Sequence, residues 1–180
     1  ILGLLVDSVP FDQVLPIVQT ILSIGKVNSE ENSSKDALDM SCSFTEVLLY
    51  SCRNMSGIYT LIPKVLSVVL TGSGNANIEA AKSCHDACLL ISQGVKSSLN
   101  SDDATEDVTP SVIIAALEKE AEDASWHVRE TVILCLTAFM INNWTSLSVD
   151  DRKLCSKIFS GGLLDTKPEV QELSRAGFVA

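Results

Sequence analysis

The stretch Cys84-His85-Asp86-Ala87-Cys88 offers the chemistry of a metal site. On a helix Cys84 and Cys88 lie one turn apart on one face, with His85 beside them, which supplies two or three zinc ligands. A tetrahedral site needs a fourth ligand, usually from a second pair elsewhere, and the sequence has no Cys-x-x-Cys. Six cysteines are present, Cys42, Cys52, Cys84, Cys88, Cys135 and Cys155, all within apolar helical patterns. The expectation is reduced, buried thiols in an intracellular protein, and no metal. The second histidine, His127, stands beside Trp126 at a helix start, where a surface or capping role is expected. No Gly-x-Ser-x-Gly elbow, phosphate loop or Gly-x-Gly-x-x-Gly occurs. The acidic pairs Asp102/Asp103 and Glu106/Asp107 fall in a polar stretch and read as solvated carboxylates. Glu118, Glu120 and Glu122 read as the wet side of one helix. The sequence therefore predicts a chain without catalytic residues or cofactor, and not an enzyme.

The elements around these residues follow from composition. The chain has 180 residues, 46% of them hydrophobic, room for one domain or about four helical hairpins. A formal net charge of -10 argues against non-specific binding to nucleic acid or anionic membranes. Only 5 Pro, 9 Gly and 5% aromatics favour long helices over many short strands. The apolar run Ile1 to Val6 is too short to span a bilayer, and no longer one follows. The absence of an initiator Met, and an amphipathic pattern running to Ala180, lead to the expectation that the chain is part of a longer protein. Asn-x-Ser/Thr triplets begin at Asn32, Asn54 and Asn143, and read as chance matches.

Apolar spacing predicts helices over 11–25, with Pro16 forcing a kink or a new start, over 37–55, over 58–70 and over 78–95. The stretches 26–36 and 71–77 read as loop and turn. Residues 96–109 read as an acidic, mobile loop. Pro110 opens the next helix, and helices over 125–143, 149–161 and 168–180 complete the chain. The fold class expected is all-α, a HEAT/armadillo-like array of antiparallel helical hairpins. A single segment over 1–180 divides into first hairpins (1–95), the acidic loop (96–109) and C-terminal hairpins (110–180).

One internal echo supports the array. Aligning Asp123 with Asp165 places Val128 on Val170 and Glu130 on Glu172, an offset of 42 residues, with Arg129 matched by Gln171. Asp ahead of a helix can accept free backbone N–H groups, and the Val starts an apolar stripe toward the neighbouring helix. Asp, then Val-Arg five and six residues on, is the pattern of the second helix of a HEAT unit, whose period is roughly 40–47 residues. An ordinary helical bundle with two similar caps is the competing reading.

The C-terminal third goes further. Residues 124–144, Ala-Ser-Trp-His-Val-Arg onward to Asn142-Asn143-Trp144, and residues 150–178 with Leu163-Leu164-Asp165 and Glu169-Val170-Gln171-Glu172-Leu173-Ser174, resemble the proteasome activator complex subunit 4 family. These are large HEAT-repeat caps of the core proteasome. The resemblance implies a non-catalytic segment of an ATP-independent activator, nuclear and cytoplasmic, that acts on the core proteasome through its parent protein. It also implies a bromodomain-like part that recognises acetylated histones, with no direct nucleic-acid or membrane contact. An acetyl-lysine pocket needs an apolar cavity and an amide donor. Asn142, Asn143, Trp144 and Phe139 are the residues this implies, with a helix C-cap as the other reading of Asn143. Inositol phosphate sites of the family need converging cations, for which Lys153, Lys157, Lys167 and Arg175 are neighbours in sequence.

Overall fold

The computed structural model describes residues 62–74, 78–99 and 109–179. The helices expected over 11–25 and 37–55, the loop over 26–36, most of the acidic loop, Cys42 and Cys52 lie outside the described residues. The described residues form helices α1 (Ile62–Gly72), α2 (Ile78–Leu99), α3 (Pro110–Glu120), α4 (Trp126–Asn143), α5 (Val149–Leu163) and α6 (Pro168–Val179). A short 3-10 turn, Trp144–Ser146, joins α4 to α5. There is no strand among them.

Local chemistry sets most boundaries. Thr109 is extended (φ -96°, ψ 158°) and Pro110 follows at the first helical position, where its missing N–H costs nothing. α5 starts with a reciprocal cap. The Asp151 N–H donates to Ser148 Oγ at 3.1 Å, and the Ser148 N–H donates to Asp151 Oδ2 at 3.0 Å. Burial pushes the Asp151 carboxyl up, but hydrogen bonds from the Ser111 and Ser148 hydroxyls and the Ser148 N–H outweigh it and hold it below its ordinary value. α2 runs to Leu99, so residues 96–99 of the expected loop continue the helix.

Packing sorts the helices into two layers. Within hairpins α1 meets α2, α3 meets α4 and α5 meets α6. Along the array α1 packs on α3 and α3 on α5, while α2 packs on α4 and α4 on α6. This is an all-α array of antiparallel helical hairpins, the architecture of stacked repeats. The core runs between the layers: Val65, Leu66, Val69 and Leu70 on α1, Ile113, Ile114 and Leu117 on α3, and Val128, Val132, Leu136 and Phe139 on α4. Those spacings of three, four and seven are the helical period.

Glu120 departs from the expectation of a wet face. It is 8% exposed and accepts a hydrogen bond from Ser67 Oγ of α1 at 2.9 Å, and Lys119 Nζ lies 3.1 Å from the same oxygen. The last turn of α3 rotates it toward α1, and a buried carboxylate is tolerated there because it is paired.

Two glycines let the last hairpin close. A Cβ on Gly177 of α6 would sit 2.3 Å from a Phe159 ring carbon and 2.6 Å from Thr137 Oγ1. A Cβ on Gly162 of α5 would meet Ser174 Oγ and the Ile133 methyl. Gly177→Ala is expected to destabilise the chain by about 1–3 kcal/mol, because the ring of buried Phe159 must shift. Urea unfolding followed by circular dichroism measures it; a midpoint equal to that of the unaltered chain refutes the close contact.

Candidate functional site

The interlocking of the last two hairpins defines the site. Asp123 and Asp165 occupy equivalent loops, after α3 and after α5. Each accepts the backbone N–H two residues on: Ser125 N–H to Asp123 Oδ1 at 2.7 Å, and Lys167 N–H to Asp165 Oδ1 at 2.9 Å. The residue at the N-cap of α4 is Ser125, so Asp123 orders the loop leading into the cap and does not cap the helix itself. Six residues after each Asp a long side chain folds back onto its carbonyl: Arg129 Nη1 donates to Asp123 O at 2.7 Å, and Gln171 Nε2 donates to Asp165 O. The 42-residue echo is thus repeated bond by bond.

Arg129 does one thing that Gln171 does not. Its Nε donates to Asp165 Oδ2 at 2.6 Å and its Nη2 to Asp165 Oδ1 at 2.8 Å. This bidentate pair ties one hairpin to the next, with side-chain exposures of 16% for Arg129 and 8% for Asp165. The hydrogen bond from Arg129 holds the Asp165 carboxyl below its ordinary value against the opposing effect of burial, and Asp165 in turn lifts Arg129 above its own.

Beside this pair lies a cleft of about 270 Å³ between the hairpins. Val132, Ile133, Ile158 and Val170 contribute to its apolar floor, and Glu118, Glu122 and Lys157 to its rim. Lys157 Nζ donates to Glu118 Oε1 at 2.7 Å, bridging α5 to α3.

A second cleft, of about 460 Å³, opens between α4 and α6. Thr137, Met140, Ile141, Trp144, Gly177 and Phe178 line it. Trp144 is half exposed and carries the Arg152 guanidinium 4.5 Å from its ring centroid. Of the four residues implied by the resemblance, Trp144 alone lines this cleft. Phe139 is fully buried in the core. Asn143 is 2% exposed and donates to Phe139 O at 3.0 Å, while Asn142 donates to Ala138 O at 2.8 Å. Each amide thus spends an N–H on its own helix, four residues back. The Asn143-x-Thr triplet is accordingly closed to solvent at its Asn.

The other singled-out residues are spread over the surface and core. Cys84 and Cys88 are buried on α2, and His85 Nδ1 lies 3.4 Å from Thr131 Oγ1 of α4. His127 is exposed, stacked on Trp126 with centroids 3.6 Å apart. Lys153 pairs with Asp150, Lys157 with Glu118, and Lys167 stands 5.8 Å from the Trp126 ring centroid. Among the described residues no group of three or more His, Cys, Asp or Glu could hold a metal ion, and no helix is long and apolar enough to cross a membrane. Burial, with Asp151 nearby, pushes the Cys155 thiol up to about 11. Cys155 is therefore expected to resist iodoacetamide at neutral pH in the folded chain and to react only in urea, as peptide mass mapping checks.

Sequence reasoning passed over Gly162, Ser174, Gly177 and Phe178. A signal was available in the 42-residue register, which puts Ser174 on Val132 and Gly177 on Cys135. A shrinking side chain at a repeated core position marks closer helix approach. Compared with known proteins, the chain matches no family model and no curated protein.

Proposed function

We propose that this chain is a non-catalytic scaffold segment, and that its parent is an ATP-independent activator capping the core proteasome, in nucleus and cytoplasm. The observation that carries the scaffold reading is the tie from Arg129 to Asp165, which locks successive hairpins into a stacked array. Such arrays present extended surfaces to protein partners. The finer reading rests on the sequence resemblance over 124–178. Acetylated histones are the partner it suggests, with the cleft at Trp144 as the place of contact, since its apolar walls suit an acyl chain.

The parent protein mixed with latent core proteasome and run on a native gel, then overlaid with a fluorogenic peptide, tests the activator reading. A retarded band with raised peptidase activity is the expected result. An unshifted core particle at micromolar parent overturns it and leaves a general interaction scaffold, in transport or chromosome organisation. For the acetyl-lysine contact, an acetylated histone peptide is expected to quench Trp144 fluorescence and to lose its binding in Trp144→Ala. Equal binding by the variant removes this cleft from consideration.

A further inference from the structure

We draw no further inference here: the strongest candidate, the apolar surface patch at the cleft between α4 and α6 where Ile141, Trp144 and Phe178 are exposed, belongs to the site already described, and nothing in the structure shows what covers it.

Discussion

Phe139→Ala is expected to destabilise the chain by about 3–5 kcal/mol, the largest effect of any single truncation considered. Phe139 is fully buried, and it is among the largest of the enclosed side chains. Its removal forfeits the transfer energy of the ring and leaves a cavity that helices on either side close only in part. The Phe139 carbonyl also accepts the Asn143 amide at the end of α4, so relaxation of the backbone there exposes a second group to loss of its partner. Domains of this size are stable by only about 5–15 kcal/mol, so the variant sits near its unfolding threshold. Urea unfolding followed at 222 nm measures the change. A loss below about 1 kcal/mol contradicts the enclosed position of the ring.

Arg129→Ala comes next, at about 3 kcal/mol, because it strands a carboxylate that is 8% exposed. Two backbone N–H groups, from Thr166 and Lys167, still favour the charged form of Asp165, which keeps the cost from rising further. The double variant Arg129→Met with Asp165→Asn should recover much of the loss, since the uncompensated charge is then gone. Strict additivity of the two single changes rules out direct coupling.

The pair also sets a pH dependence. Asp165 has a folded pKa below its ordinary value, so its contribution is fully present above the unfolded carboxylate pKa of about 4. It is lost as pH falls through the lower folded value. Arg129 has a folded pKa raised above its ordinary value, so its share is fully present throughout the neutral and acid range and does not change near neutrality. In Arg129→Ala the depression of Asp165 is relieved, so the loss of stability that Asp165 contributes below about pH 4 should be smaller than in the unaltered chain.

Much of the helical order was legible in the residues. Pro110 and Pro168 mark helix starts because a fixed φ and a missing N–H suit the first turn alone. Val128 and Val170 were paired by the 42-residue register, and both are buried at equivalent positions of α4 and α6. Asp123 and Asp165 were paired ahead of their helices as acceptors of free helix N–H groups, and both instead accept the N–H two residues on, in the loop before the helix. These are local properties: periodicity, dihedral preference and hydrogen bonds within one turn depend on neighbours in the chain.

Other features depended on partners distant in sequence. Glu120 looked like its neighbours Glu118 and Glu122, yet it is enclosed against Ser67, 53 residues earlier. The final turn of α3 and the position of α1 decide that, and no pattern within α3 encodes it. Arg129 finds its carboxylate in the following hairpin, 36 residues on, and nothing within its own helix encodes that. Asn142 and Asn143 are chemically alike, and the rotation of α4 makes the first half-buried and the second enclosed. By itself the sequence determined where helices begin, which faces are apolar, and that the last two hairpins share one plan. The tertiary structure alone decided which carboxylate is buried, which cation ties hairpin to hairpin, and which side chains meet in a cleft, because those outcomes follow from how close two helices approach.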